Sequence, residues 1–271
     1  MAPNLNDLFL RAVGRHFVTM SCMQTPPGSM VAHAAVSSGF VIEVEGFWFY
    51  VTAGHILRNI EAATAAGSNF DVWRFGDQAA RGPFKETGIP FDFVPENWIV
   101  IRDEDVGLDY AAMHLRDLYR EALVRGGVAP LSKDTWGDHV TEYDQWVLVG
   151  VPMETVAHDG ESRITARLIG IAVTEEKDVP DGAGEKAQNQ FYARLMDGSE
   201  SIIKNVEGMS GGPLFATNRK DGRISYKVIG IQSAWYKSTR IIAVCPFSSL
   251  GLGLEAAIQE LRESAGETGT T

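Results

Sequence analysis

The chain has 271 residues, of which 45% are apolar, and carries a formal net charge of −11. This length and apolar fraction allow a sizeable core, either in one large unit or in two smaller ones. The acidic balance disfavours nucleic acid and anionic membranes as partners, because both require a basic surface. The first residues, MAPNLNDLFLRAVGRHF, contain no unbroken apolar run. We therefore predict neither a signal peptide nor a membrane span, and we expect a cytoplasmic location.

Cysteine usage and ligand spacing exclude several further classes. Cys22 and Cys245 are the two cysteines, and their wide separation predicts no disulfide framework. Two buried thiols in a reducing compartment are the simpler interpretation. The sequence shows no Cys/His cluster with zinc spacing, no phosphate-binding loop and no calcium loop. No cofactor and no metal are therefore predicted.

Apolar periodicity organises the first half of the chain into a short helix followed by strands. Residues 6–13 show helical spacing, and further helices are expected over 56–66 and 116–125. A hairpin around Glu45-Gly46 ends directly before His55. The predicted strands of this half are residues 15–23, 36–45, 46–51, 70–75, 98–102 and 110–115.

The second half has the same strand-rich pattern. Its predicted strands are residues 145–150, 162–174, 191–195, 212–216, 226–234 and 239–244. Residues 175–189 are charged and rich in turn formers, which predicts a solvated loop. Leu250, Leu254, Ile258 and Leu261 recur at helical spacing and predict a C-terminal helix.

One short run, NVEGMSGGPLF at residues 205–215, places Ser210 in a glycine-rich turn directly before an apolar strand. A carbonyl under nucleophilic attack becomes an oxyanion that two backbone N–H groups must already face. Gly208 and Ser210 can supply that pair, and Gly211 and Gly212 tolerate the bent backbone that such aiming requires. The alternative interpretation is an ordinary Gly-Ser turn between two strands.

A serine hydroxyl is a weak nucleophile without a base and a group that orients the base. Among the six histidines, His55 alone follows a Thr-Ala-Gly turn at the end of an aromatic-rich strand, FYVTAGHIL. Asp109, in LDYAAMHL, stands at the mouth of an apolar segment, so we expect its carboxylate to be partly buried. Asp103 and Asp105 are rivals, although their run RDED is typical of a solvated loop.

The order His55, Asp109, Ser210 resembles that of the trypsin-like serine proteases of the chymotrypsin fold. Subtilisin-like enzymes and α/β-hydrolases arrange the same three groups differently along the chain. Three further segments share the resemblance, namely SSGFVI at 37–42, VLVGVP at 147–152 and VIGIQS at 228–233. The absence of a disulfide framework makes the chain similar to bacterial, intracellular members of the family.

This resemblance implies an all-β protein of two six-stranded antiparallel β-barrels, with a short helix at the N-terminus and another at the C-terminus. Residues 1–125 would hold the N-terminal helix and the first barrel, which carries His55 and Asp109. Residues 126–271 would hold the second barrel, which carries Ser210, and the C-terminal helix.

The activity that the resemblance implies is peptide hydrolysis through an acyl-enzyme, with protein or peptide substrates. The sequence shows no site like the one whose cleavage activates secreted members, so we expect a competent enzyme or one held by a regulatory protein partner. A bacterial regulatory, quality-control or defence role would fit. Two alternatives stay open: a module of the same fold that binds peptides without catalysis, and an esterase.

The resemblance also suggests a substrate pocket. Six positions before the nucleophile, trypsin-like enzymes that cut after basic residues carry an Asp, where this chain has Lys204. A cationic floor would repel Arg and Lys and favour an acidic or polar side chain before the cut. Gln232 and Ser233 would form a neutral, hydrogen-bonding wall. Alternatively, Lys204 points to solvent.

Overall fold

The computed structural model describes residues 5–80, 87–103, 106–160, 163–183, 189–221 and 223–267. Asp105 and part of the predicted loop over 175–189 lie outside these ranges. The first half contains α1 (Leu5–Val13), β1 (Val18–Thr25), β2 (His33–Ser37), β3 (Phe40–Val44), β4 (Phe47–Thr52), α2 (Gly54–Ala65), β5 (Asn69–Asp77), β6 (Ile89–Pro90), β7 (Trp98–Asp103), β8 (Leu108–His114) and α3 (Asp117–Gly126). The second half contains β9 (Gln145–Gly150), β10 (Ala157–His158), β11 (Ile164–Thr165), β12 (Ile169–Glu176), β13 (Phe191–Leu195), β14 (Pro213–Lys220), β15 (Arg223–Tyr236), β16 (Ile241–Pro246) and α4 (Phe247–Glu267).

The second half closes into a six-stranded barrel in the order β12-β13-β16-β15-β14-β9. All neighbouring strands are antiparallel, so the barrel leaves no unpaired edge. Its interior is filled by side chains that alternate inward along the strands, such as Leu148, Leu214 and Ile242, each of which is fully buried. The barrel is therefore a packed scaffold rather than a channel.

The first half consists of two four-stranded antiparallel sheets, in the orders β2-β1-β5-β6 and β3-β4-β8-β7. An isolated bridge between Phe17 and Phe40 links the sheets. They enclose one apolar interior, in which the rings of Tyr50 and Phe75 lie 5.0 Å apart. The all-β prediction with a helix at each end is confirmed. Two six-stranded barrels were predicted; the second half closes into one, and the strands of the first half pair as the two four-stranded sheets.

The predicted helices over 56–66 and 116–125 correspond to α2 and α3. The strand predicted over 162–174 is instead divided between β11 and β12. The reason is a change of partner, because β11 pairs with β10 in a small hairpin and β12 pairs with β9 in the barrel.

The terminal helices pack across the division between the two halves. Phe9 of α1 packs edge-on against Phe215 of β14, with ring centroids 6.1 Å apart. Phe247 at the start of α4 contacts Phe40 of β3 at 5.9 Å. The division at residue 125 stays a prediction, and the two helices tie the halves together. Within the described ranges, no helix is both long and apolar enough to cross a bilayer.

Candidate active site

Strand pairing brings His55 and Asp109 together. His55 is the second residue of α2 and follows β4, while Asp109 lies in β8, which pairs with β4. Asp109 Oδ2 lies 2.6 Å from His55 Nδ1, and Asp109 Oδ1 accepts the backbone N–H of His55 at 2.7 Å. A carboxylate only accepts hydrogen bonds, so we assign the proton of the neutral ring to Nδ1. His55 Nε2 is then free to accept a proton.

A glycine before the histidine makes this grip possible. A Cβ at Gly54 would lie 2.9 Å from Asp109 Oδ1 and 3.0 Å from Tyr110 O. Any other residue would push the carboxylate away from the imidazole. The side chains of His55 and Asp109 are 17% and 19% exposed, so the partial burial expected for Asp109 is observed. The pair is sheltered but remains reachable.

The turn that carries Ser210 packs against the same strand end. Gly211 has a φ of +83°, in the left-handed region that glycine tolerates. A Cβ at Gly211 would overlap Thr52 Oγ1 and would lie 2.8 Å from Ala53 N. Ala53 is two residues before His55, so this close approach sets Ser210 on the His55 side of the site.

The N–H groups of Gly208 and Ser210 each belong to a peptide unit whose carbonyl oxygen accepts a hydrogen bond. That hydrogen bond fixes the direction of the N–H group. Glu207 O accepts the N–H of Met153 at 2.8 Å. Because C=O and N–H point in opposite directions in a trans peptide, the Gly208 N–H faces away from Met153. Met209 O accepts a later amide of the turn at 2.8 Å and orients the Ser210 N–H in the same way. In the described part of the chain, neither N–H donates to a protein acceptor.

Ser38, which the sequence did not single out, connects the two halves at the site. Its buried hydroxyl donates to Gly208 O at 3.0 Å and accepts the N–H of Val151 at 2.9 Å. Ser38 O in turn accepts the hydroxyl of Thr52 at 2.8 Å. The sequence contained a signal for this role, because Ser38 and Thr52 are polar residues next to apolar runs. A buried hydroxyl needs such partners.

The Ser210 side chain lies on the His55 side of the site without a hydrogen bond to His55 in the described part of the chain. Ser210 is half-buried. Hydrogen bonds between catalytic groups are often long without substrate. The structure thus pairs His55 with Asp109 and sets the Ser210 turn beside them.

The three residues predicted for a substrate pocket all lie in the second half. Lys204 is exposed. The Gln232 side chain is fully buried and donates to Ala234 O at 3.0 Å, while Ser233 accepts a hydrogen bond from Gln190 at 3.0 Å. Among the described residues, no hydrogen bond joins Lys204 to Gln232 or Ser233. The pocket stays a prediction.

A buried thiol lies behind the acid–base pair. Cys22 and Cys245 are both free and buried, as expected. Cys245 Sγ donates to Gly107 O at 3.2 Å, and burial raises the pKa of this thiol to about 12. It therefore stays protonated at neutral pH. Among the described residues, no group of His, Cys, Asp and Glu is arranged to hold a metal.

Comparison with solved structures identifies the architecture. The chain is 14% identical to the protein GrC, covering 90% of this chain and 94% of that one, with a TM-score of 0.52. It is also 14% identical to the scabies mite inactivated protease paralogue S-I1, covering 91% and 95%, again with a TM-score of 0.52. The thermostable serine protease AL20 from an extremophilic microorganism is 14% identical over 91% of this chain and 98% of that chain, with a TM-score of 0.49.

The two likenesses at a TM-score of 0.52 show the fold. The protein has the chymotrypsin-like, double-barrel fold of the serine proteases, as the order of the three residues implied. No family model matches the chain, and no curated protein matches it either.

Proposed function

We propose that this protein is a serine endopeptidase that works through His55, Asp109 and Ser210. The observation that carries the proposal is the pair of hydrogen bonds between Asp109 and His55, one to the ring Nδ1 at 2.6 Å and one to the backbone N–H at 2.7 Å. This grip orients the ring and leaves Nε2 as a base next to a glycine turn that holds a serine. A module that only binds peptides has no need for such a grip.

The proposed reaction has two halves. Ser210 Oγ attacks the carbonyl of a peptide bond while His55 Nε2 takes the hydroxyl proton. The resulting oxyanion accepts hydrogen bonds from the N–H groups of Gly208 and Ser210. His55 then gives the proton to the departing amine, which leaves an acyl ester on Ser210. A water molecule then attacks the ester while His55 takes its proton, and His55 returns that proton to Ser210 Oγ as the acid leaves. Asp109 stays ionised and stabilises the imidazolium.

We also propose that the nucleophile turn is competent as synthesised, or is held in check by a partner protein. Several of its supports are uncharged, namely the buried Met209 side chain, the Ser38 hydroxyl and backbone hydrogen bonds. None of these supports requires a newly freed N-terminus. Mixing purified protein with peptide substrate, without any protease pretreatment, tests this point. Activity that arises only after limited proteolysis would contradict it.

Covalent labelling tests the central proposal. A fluorophosphonate probe should label wild-type protein at Ser210, as located by mass spectrometry of the labelled peptide. The Ser210→Ala variant should not be labelled and should lose peptide turnover by several orders of magnitude. Peptide cleavage by Ser210→Ala at the wild-type rate would refute the assignment. Turnover of a simple ester but of no peptide would favour the esterase alternative.

One observation favours a second candidate, a protease-fold module that binds peptides or a partner without catalysis. Ser210 makes no hydrogen bond to His55 in the described part of the chain, and one structure of the same fold is an inactivated protease paralogue. Peptide binding by wild-type protein, without labelling of Ser210, would support this candidate instead.

For specificity, we propose an acidic or polar side chain before the cut, recognised by Lys204 with Gln232 and Ser233. The support is charge complementarity at an exposed lysine six positions before Ser210. A peptide library varied at that position tests it, and a preference for cutting after Arg would refute it. We also propose that the protein acts in the cytoplasm of a bacterial cell, which its recovery in the cytoplasmic fraction of such cells would support.

A further inference from the structure

A cavity of about 270 Å³ lies between α2 and the sheet formed by β2, β1 and β5. Its lining is mostly apolar and includes Met20, Cys22, Ile56, Ile60, Phe70 and Trp73. Met20 and Cys22 are buried and form the floor, whereas Phe70 and Trp73 are half-buried and stand at the wall. Such a lining takes an apolar group and offers little to a charged one.

The backbone of β5 is distorted so that two aromatic rings face this cavity. Phe70 and Trp73 are three residues apart, and in a regular strand they would point to opposite faces of the sheet. The register of β5 against β1 shifts between Ser21 and Met23, which inserts one extra residue in β5. The rings therefore share a face and stack, with centroids 6.0 Å apart and planes 28° apart.

The distortion strains the backbone at Val72, and burial of Val72 does not compensate for this strain. Val72 lies within the bulge with a φ of +53°, a region that a β-branched residue rarely adopts. Its own side chain is 52% exposed, so Val72 gains little from burial. Bulges of this kind re-aim side chains and are frequent next to active sites. The Trp73 ring also stacks on Phe93 at 4.2 Å, and the bulge places Phe70 and Trp73 together at the cavity.

Two residues of the cavity wall are chain neighbours of residues in the candidate site. Ile56, in its wall, directly follows His55. Ser37, at another part of the wall, directly precedes Ser38, whose hydroxyl is bonded to Gly208 O. The cavity wall is therefore continuous along the chain with His55 and with the residue that contacts the Ser210 turn.

The position of the cavity decides which part of a substrate can reach it. In the proposed reaction His55 protonates the departing amine, so the leaving-group half of the peptide lies on the His55 side. The cavity is built entirely from the first half of the chain, whereas the residues proposed to recognise the acyl half, Lys204 among them, lie in the second. In that reaction the cavity would lie on the side of the residues that follow the scissile bond.

We propose that this cavity binds a large apolar side chain, aromatic or long aliphatic, from the residues that follow the cut; the proposal rests on the proposed function. Its volume of about 270 Å³ lies below the range typical of drug-sized ligands, roughly 300–1,000 Å³, and suits a single side chain. Cleavage would thus be selected at two points, by charge before the bond and by apolar size after it.

Peptide profiling tests the proposal directly. Internally quenched peptides with a fixed acyl half should be varied over the three positions after the cut, with Phe, Leu, Gly, Ser and Asp at each. At one of these positions we expect Phe or Leu to raise kcat/KM about 10-fold or more over Gly and Asp, since burial of such a side chain is favourable. Equal values for apolar and polar side chains at all three positions would overturn the proposal.

Two helix variants assign the preference to this cavity. Ala63 lines the cavity and Ala62 is exposed on the other side of the same helix. Ala63→Phe should fill the space and reduce the apolar preference about 10-fold, whereas Ala62→Phe should keep the wild-type profile. If Ala63→Phe does not fold, Ile60→Ala tests the same wall and should weaken the preference. An apolar preference that is unchanged in the folded cavity variant would overturn the proposal.

Labelling of wild-type Ser210 separates the two possible failures. If the fluorophosphonate does not label Ser210 and no peptide is cleaved, the proposed function fails and this proposal fails with it. If Ser210 is labelled and peptides are cleaved without any apolar preference after the cut, the cavity proposal alone fails.

Discussion

The two halves of the molecule hold their parts of the site in different ways. In the first half, two hydrogen bonds join His55 at the start of α2 to Asp109 in β8. The strand before α2, β4, is paired with β8. In the second half, Ser210 depends on backbone hydrogen bonds within a glycine turn and on Ser38, which belongs to the other half. The position of His55 against Asp109 is thus set within one half, whereas the position of the Ser210 turn is set by the contact between both halves.

The largest effect should come from breaking the pair itself. Asp109→Asn replaces an acceptor by an amide that can donate, so His55 loses the tautomer that leaves Nε2 as a base. We expect kcat for peptide cleavage at neutral pH to fall about 10⁴-fold, with an unchanged circular dichroism spectrum. The exposed rival Asp103 provides the control, since Asp103→Asn should stay within about 2-fold of wild type. Loss of less than 10-fold in Asp109→Asn would contradict the assigned role.

A smaller effect should follow when the pair is displaced but not removed. In Gly54→Ala, the new Cβ would lie 2.9 Å from Asp109 Oδ1, so the carboxylate must shift. A displacement near 1 Å costs about 100-fold, and we expect a fall in kcat of that order. Gly253→Ala on α4 is a matched control, because no atom lies within 4 Å of the position that its Cβ would occupy. Equal kinetics for the two glycine variants would show that the close approach does not matter.

The sequence predicts features that depend on a few neighbouring residues better than features that depend on contacts between distant segments. His55, Asp109 and Ser210 could be predicted as site residues because reactive residue types stand in short, informative contexts. The pairing of His55 with Asp109 follows once β4 and β8 are neighbours. The roles of Ser38 and of the bulge at Val72 were not predicted, because both depend on strand register between segments far apart in the chain.

The contact between the halves can be tested by measuring stability as the pH is lowered, because it includes a buried histidine. His16 is buried, with Nδ1 2.6 Å from Ala129 O and Nε2 2.8 Å from the hydroxyl of Tyr226 in the second barrel. Burial, with Arg15 nearby, lowers the pKa of His16 from 6.5 to about 4. The unfolded chain therefore binds the proton first, and the stability present above pH 6.5 is lost as the pH falls towards 4.

From this shift we expect the free energy of unfolding to decrease by about 2–3 kcal/mol between pH 6.5 and pH 4, beyond the change caused by other groups. Urea unfolding at intervals over this range measures it. His16→Gln removes the titration and should flatten this part of the profile. Parallel profiles for the variant and the wild type would contradict the role of His16.

The smallest effect should come from the single hydroxyl that spans the halves. Ser38→Ala leaves Gly208 O and the Val151 N–H without this partner, at a cost of about 1–3 kcal/mol. We expect the rate of fluorophosphonate labelling at Ser210 to fall about 10-fold, because the turn loses its brace while His55 and Asp109 remain paired. Ser225→Ala, at an exposed position far along β15, should label at the wild-type rate. Identical rates for both variants would remove Ser38 from the site.

The brace from Ser38 also sets an order of events during synthesis. The residues that form the acid–base pair leave the ribosome before the barrel strands that flank Ser210. Until those strands have closed and docked, the Ser38 hydroxyl has no Gly208 carbonyl to hold. If the protein is a protease made in its competent form, as we propose, a nascent chain stays harmless to neighbouring polypeptides until its last barrel is complete.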